Sequence, residues 1–368
     1  MHEQDEQGVR IATVQGLFDA GLVERSALPA LQEVASQYAI ALTPTISRLV
    51  QAEGGDGPIS RQFIPTESEL IRKEWERDDP IGDEAHSPVS GIVHRYPDRA
   101  LLTPVLTCPV YCRFCFRREA VGPGKGSTLG ASQLDAAFAY LAAQRGIREI
   151  IITGGDPLIQ SPRRMGEIAG RLRELEHIRI VRYHTRVPVV EPQRVTAELI
   201  AAMCSFGRAT YVVLHVNSAR ELTAAARDAC GLLVDSGIPM LSQSVLLKGV
   251  NDTTESLSEL LRALVEIRVK PYYLHHLDPA PGTDQFRVSI SEGQKLVRGL
   301  RGHHSGLMQP TYVLDIPGGH GKSPIGDSFI RRATDANGTF HEIRSYTGAW
   351  HRYEAEPVQH MANTGDPA

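Results

Sequence analysis

The sequence predicts an α/β fold of six consecutive strand–helix units, arranged as a partial barrel or an open sheet. A helical segment precedes them and a β-containing extension follows. Three observations carry this. Six apolar, strand-like runs (ALLTPVL, IREIIITGG, IRIVRYHTR, ATYVVLHV, PMLSQSVLL and KPYYLHHLD) succeed one another between residues 100 and 278, alternating with helical stretches as in βα units around a parallel sheet. Those stretches have helical spacing: Leu257, Leu260, Leu261 and Leu264 fall at i, i+3, i+4 and i+7. Leu134, Phe138 and Leu141 form a second apolar stripe, with Ser132 as the expected cap. Finally, unusual polar residues gather at the ends of the runs, where both arrangements place their chemistry.

Taken in order, residues 1–90 are polar-rich with helical patches such as LPALQEVASQYAI, and residues 91–285 hold the six units. Residues 286–355 contain a helix (SEGQKLVRGLRG), a strand (PTYVLDI), the glycine-rich PGGHGKSP and a hairpin signal at Asn337-Gly338. Residues 356–368 read as a disordered tail. A chain of 368 residues, 42% hydrophobic and 22% charged, has ample core for a soluble globular protein. The net charge of -4 argues against a general nucleic-acid binder. No apolar run reaches the ~20 residues of a membrane helix, and MHEQDEQGVR has no leader-like pattern. A cytoplasmic location is expected.

Three of the five cysteines, Cys108, Cys112 and Cys115, lie within CPVYCRFC. In a reducing compartment such density points to metal binding or catalysis, not to disulfides. Thiolates at this spacing suit zinc or an iron–sulfur cluster; zinc would need a fourth ligand from elsewhere, whereas three cysteines on a four-iron cluster leave one iron open to a small molecule. Cys204 and Cys230 sit in apolar helical patterns and read as core thiols.

Six blocks carry a resemblance: RYPDR at 95–99, CPVYCRFCFRR at 108–118, TGGDPL at 153–158, TRVPVVEPQRV at 185–195, QSVLLKGVND at 243–252 and DIPGGHGK at 315–322. In order and spacing, from about residue 20 to 350, the chain resembles the lysine 2,3-aminomutase family of radical S-adenosylmethionine enzymes. The resemblance implies a partial (βα)6 TIM-like barrel, a [4Fe-4S] cluster on Cys108, Cys112 and Cys115, S-adenosylmethionine and pyridoxal 5'-phosphate. It implies an isomerase that moves an amino group between the α and β carbons of lysine. Removing an unactivated hydrogen is beyond any side-chain base, so a cofactor-derived radical is required.

By the same resemblance, Lys322 attaches pyridoxal phosphate, and Arg95 and Arg99 bind its phosphate. Gly154, Gly155, Asp156, His215, Asn217 and Gln243 face S-adenosylmethionine. Arg117 pairs with the substrate carboxylate, while Asp278 and Asp315 receive the distant ammonium. Two anions facing one cation make a charge filter that favours lysine over glutamate; arginine must be excluded by length. His275 stands where the clostridial lysine enzymes carry tyrosine, as in the related enzymes that supply β-lysine to elongation factor P. The expected partners are a small-molecule amino acid, an electron donor such as flavodoxin or ferredoxin, and further copies of the chain in a homo-oligomer. Two alternatives stand beside this reading: the same chemistry on arginine or glutamate, and a non-catalytic iron–sulfur or zinc protein with this fold.

Overall fold

The computed structural model describes residues 10–122, 128–336 and 338–353. The six runs form parallel strands: β2 (Arg99–Val105), β3 (Glu149–Gly154), β4 (Ile180–Thr185), β5 (Ala209–His215), β6 (Met240–Val245) and β7 (Val269–His275). Their sheet is larger than the six runs imply. A strand before them, β1 (Ile92–Tyr96), pairs antiparallel with β2, and β8 (Thr311–Ile316) continues the parallel series beside β7. An antiparallel ninth strand, β9 (Gly321–Pro324), closes the order β1 to β9. The sheet therefore runs without a break across residue 285 and takes in the glycine-rich loop.

The two ends of the sheet come together without forming a ladder among the described residues. The Lys322 backbone N–H on β9 donates to the Tyr96 hydroxyl on β1 at 2.8 Å, and Arg95 lies 3.8 Å from Asp315 on β8. Side chains thus close what the backbone leaves open, and the architecture is a partial barrel, not a flat open sheet.

Helices cover the outside. Ile150, Ile151 and Ile152 of β3 are buried in succession, as expected for a parallel strand covered on both faces. The helix Thr254–Glu266 buries Leu257, Leu260, Leu261 and Leu264 as the spacing predicts, each such side chain contributing roughly 1.5–3 kcal/mol relative to exposure. In Ala131–Ala143, Leu134, Phe138 and Leu141 are buried, but the cap differs from expectation. The N-cap is Gly130, whose N–H donates to the Gln133 side chain at 3.0 Å; Ser132 lies inside the first turn. Gln133 reaches back to an orphan donor that Ser132 cannot reach.

The N-terminal helices Val14–Asp19, Leu28–Gln37, Pro44–Ala52 and Pro58–Phe63 pack against the barrel. Beyond β9, a separate antiparallel sheet joins β10 (Ile330–Asp335), β11 (Gly338–Arg344) and β12 (Trp350–Tyr353). The expected hairpin is its first pair, with Asp335 opposite Gly338; Asn337 and the expected tail at 356–368 lie outside the described residues. Cys230 is buried and Cys204 half-buried, both in helices. Among the described residues no helix is long and apolar enough to cross a membrane.

Candidate active site

Chemistry gathers where the parallel strands end. One cavity of 570 Å³ opens there, bounded by Cys108, Cys112 and Cys115 and also by Lys322, Asp315 and Asp278. Of the fifteen residues singled out as site candidates, only Asn217 is missing from its wall.

The cysteine loop follows β2 and is held by buried ion pairs from the N-terminal segment. Glu69 accepts from Arg113 Nε at 3.0 Å and Nη2 at 2.6 Å, and from Arg118. Arg118 thus serves the loop, while its neighbour Arg117 faces the cavity. Removing Glu69 would leave two guanidiniums buried without a counter-charge, a loss on the order of 3–5 kcal/mol. On the third side, Arg186 Nη1 lies 2.8 Å from Cys112 Sγ, and its Nη2 is 2.6 Å from Glu221.

Burial pushes all three thiols up, Cys115 to about 11 with the charge of Cys112 adding to the effect. They become thiolates at neutral pH only with a cationic partner, as iron would provide. Among the described residues no three His, Cys, Asp or Glu side chains converge on a single-ion site, and three buried sulfurs along one loop fit the corners of a cluster better than one zinc ion.

Next to the cysteines, the Gly154-Gly155 turn presses against the start of their loop. A Cβ on Gly155 would lie 2.2 Å from the Thr107 carbonyl oxygen, a distance that excludes any side chain. Gly155→Ala should therefore displace Cys108 through Thr107 and lower iron bound per chain severalfold; wild-type iron content would show that the loop yields instead. His215 and Gln243 are partners on adjacent strands and both line the cavity. Burial, aided by Arg186, holds His215 neutral.

Two residues of this group are occupied by the scaffold. The Asp156 carboxylate accepts from Thr185 Oγ1 at 2.7 Å, Arg186 N at 2.7 Å and Leu158 N at 3.1 Å. It ties β3 to β4, and only its surface reaches the cavity. Asn217 is completely buried behind the wall, donating to Gln62 at 3.0 Å and accepting from the Val245 N–H at 2.8 Å. It fastens β5 to β6 and does not line the cavity.

At the far end, Lys322 Nζ lies 2.7 and 2.6 Å from the two oxygens of Asp315. Burial works against the Asp315 charge, but His275, at 3.7 Å, and Lys322 outweigh it and hold the carboxyl well below its usual range. Among the described residues Asp278 has no ion pair of this kind, and Lys322 and Arg117 act on it only at longer range. Burial, with the like charge of Asp315 beside it, pushes its carboxyl up to about 7. Arg99 stacks over the Tyr96 ring at 3.8 Å. The Arg95 Nε atom is buried with no hydrogen-bond partner, an unmet donor in the wall where a phosphate is expected. Gly321 matters here: at φ +89°, a Cβ on it would sit 2.9 Å from the Tyr96 hydroxyl that anchors Lys322. These residues fit a flat, phosphate-bearing cofactor.

The cavity also contains residues given no role from the sequence: Asp83 and Arg182 were not noticed, and His184 was noted only as an unusual residue at a strand end. Asp83, Arg182 and His184 line it. Arg182 is paired with Glu149 at 2.8 Å, and His184 is held neutral by burial and by Arg182. His184 and Arg182 alternate inward along β4, a signal available from strand periodicity; Asp83 lies in an acidic loop with no motif.

Comparison with known proteins agrees with this geometry. Residues 102–261 match the radical SAM superfamily, whose members carry a [4Fe-4S] cluster and S-adenosylmethionine. The L-lysine 2,3-aminomutase of Acetoanaerobium sticklandii is 39% identical over 79% of this chain and 70% of its own length. That of Clostridium subterminale is 37% identical over 87% and 77%. The glutamate 2,3-aminomutase of Clostridioides difficile is 33% identical over 89% and 76%. Among solved structures, Streptococcus suis SuiB bound to S-adenosylmethionine aligns at TM-score 0.46 and 12% identity, over 60% of this chain and 51% of that one. With relatives this similar over most of both chains, and with the cysteine loop at the mouth of a partial barrel, this protein belongs to the lysine 2,3-aminomutase family of radical S-adenosylmethionine isomerases.

Proposed function

We propose that this protein interconverts L-lysine and β-lysine, with pyridoxal phosphate carried on Lys322. One observation supports this above the rest: a single cavity has arginines toward the cysteine loop and a pair of aspartates, half-buried Asp278 and buried Asp315, at the lysine-bearing end. When bound, S-adenosylmethionine at the cluster would supply a hydrogen-abstracting carbon radical, and pyridoxal phosphate would supply a conjugated ring that delocalises the unpaired electron while the amino group shifts between adjacent carbons.

The chain's own residues bind and orient. Cys108, Cys112 and Cys115 hold the cluster, and the Gly154-Gly155 turn with His215 and Gln243 receives S-adenosylmethionine. Arg95 and Arg99 hold the cofactor phosphate through charge-assisted hydrogen bonds. Arg117 orients the substrate carboxylate, and Asp278 with Asp315 fixes the distant ammonium. Glutamate would bring a third carboxylate to these two and is repelled. Residues 1–90 brace the cysteine loop, 91–285 form the radical-generating barrel and 286–355 bring in Lys322. A one-electron donor such as flavodoxin or ferredoxin reduces the cluster, and the chain acts as a homo-oligomer.

The test incubates anaerobically purified, iron-reconstituted protein with pyridoxal phosphate, S-adenosylmethionine, a strong reductant and lysine, arginine or glutamate. β-Lysine alone is expected by mass spectrometry. A product from glutamate or arginine, or none from lysine when both cofactors are bound, would overturn the assignment.

A pH dependence follows. The raised Asp278 carboxyl is protonated below about 7 and must ionise to pair with an ammonium. Apparent lysine affinity should fall about tenfold per pH unit below that value and level off above it. Asp278→Asn should flatten that slope; an unchanged slope would assign it to another group.

A further inference from the structure

We propose that Asp83 is a positioning residue that ties the arginine facing the cofactor phosphate to the arginine facing the substrate carboxylate. This rests on the reading above and adds a residue that the family resemblance does not supply. Asp83 accepts through Oδ1 from Arg95 Nη2 at 2.9 Å, and through Oδ2 from Arg117 Nε at 3.0 Å and Nη2 at 2.8 Å. All three side chains are largely buried, at 17%, 10% and 15% exposure. One carboxylate therefore spans two guanidiniums from different parts of the chain, β1 and the cysteine loop.

The choice of edge matters. A guanidinium presents two forks to a carboxylate, one formed by Nε with one Nη and one formed by the two Nη groups. Asp83 takes the Nε–Nη2 edge of Arg117. Among the described residues no partner takes Nη1 or the second Nη2 hydrogen, which leaves that fork for a second carboxylate on a residue that lines the cavity. Asp83 thus fixes the plane of Arg117 while leaving its substrate-facing fork free. It also supplies counter-charge in a wall that carries Arg95, Arg99, Arg117, Arg182 and Lys322.

The backbone beneath Asp83 is itself fastened. Asp79 accepts from the Asp83 N–H at 2.8 Å and from the Glu84 N–H at 2.9 Å. A Cβ on Gly82 would lie 2.5 Å from the Gly319 nitrogen, and one on Gly319 would lie 2.5 Å from the His86 ring. The loop that carries Asp83 is wedged against the loop leading to Lys322. Phosphate grip, carboxylate grip and lysine loop are therefore joined at one carboxylate.

The isosteric Asp83→Asn variant tests this in the full, iron-reconstituted chain. Titrations followed by absorbance would measure affinity for pyridoxal phosphate and, separately, for pyridoxal, which lacks the phosphate. Lysine KM and kcat would be measured alongside, and S-adenosylmethionine binding would be read from the change in the cluster's EPR spectrum. Loss of a charge-assisted pair on each arginine should weaken pyridoxal phosphate binding about tenfold and raise lysine KM about tenfold. Pyridoxal affinity, kcat and the EPR response should stay close to wild type. Wild-type affinities for both pyridoxal phosphate and lysine in the variant would overturn the proposal. So would an equal loss for pyridoxal and pyridoxal phosphate, or a parallel loss of iron, since each marks a residue that only supports the fold. Failure of the wild-type protein to bind pyridoxal phosphate or lysine would instead sink the functional reading.

Discussion

Cys112→Ala is expected to leave a folded chain that binds less than about a tenth of the wild-type iron and makes 5′-deoxyadenosine only at background. The side chain is half-buried at the cavity wall and sits in a constructed environment: Arg186 lies 2.8 Å from its sulfur, and Arg186 is balanced by Glu221. With Cys112 gone, two thiols remain on the loop. Neither Cys204 nor Cys230 can replace it, because both lie in the helical cover. The direct cost to folding is small, about 1 kcal/mol for a cavity the size of one sulfur. A near-wild-type melting temperature together with lost iron would thus separate ligand loss from unfolding. Iron and sulfide per chain, with deoxyadenosine measured after reduction, decide it; a variant retaining both would refute the cluster assignment.

Lys322→Ala is expected to remove the visible absorbance of lysine-bound pyridoxal phosphate and to lower β-lysine formation by at least about a thousandfold. Iron content should not change, since no cysteine contact involves this residue. The geometry adds a second consequence. Lys322 holds both oxygens of Asp315, and without it that buried carboxylate keeps only His275 at 3.7 Å and Arg95 at 3.8 Å. Its carboxyl should rise from the depressed range as its main counter-charge is lost. Borohydride treatment before digestion would show which lysine carries the cofactor, and a labelled peptide without residue 322 would move the attachment elsewhere.

Asp315→Asn is expected to be milder toward S-adenosylmethionine than toward lysine. Truncating one side of a buried charge pair costs roughly 2–5 kcal/mol, so lysine binding should weaken by a factor on the order of 30 or more. Equal weakening of both ligands would make Asp315 a structural residue.

How far the sequence could be read depended on the range of the interaction that matters. Cysteine spacing is a local pattern that points to metal chemistry by itself, whereas the roles expected of the Gly154-Gly155 turn and of Lys322 came from six sequence blocks taken together. The six parallel strands were legible from local pattern as well, since apolar runs and helical stripes repeat over short windows. Asn217 and Asp156 show the limit of that reading: both stand at strand ends with suitable chemistry, yet their side chains are spent on joining neighbouring strands. A polar residue at a strand end can serve ligand or scaffold, and only its partners decide which.

What the sequence determined by itself was the set of reactive groups and the alternation that carries them to one end of a parallel sheet. Tertiary structure alone decided that β1 and β9 meet through Tyr96 and Lys322, and that Asp83 spans Arg95 and Arg117 across 34 residues of chain. Both are contacts between segments distant in sequence, set by sheet curvature and by the need of buried charges for a counter-charge. Neither condition leaves a periodic trace in the chain.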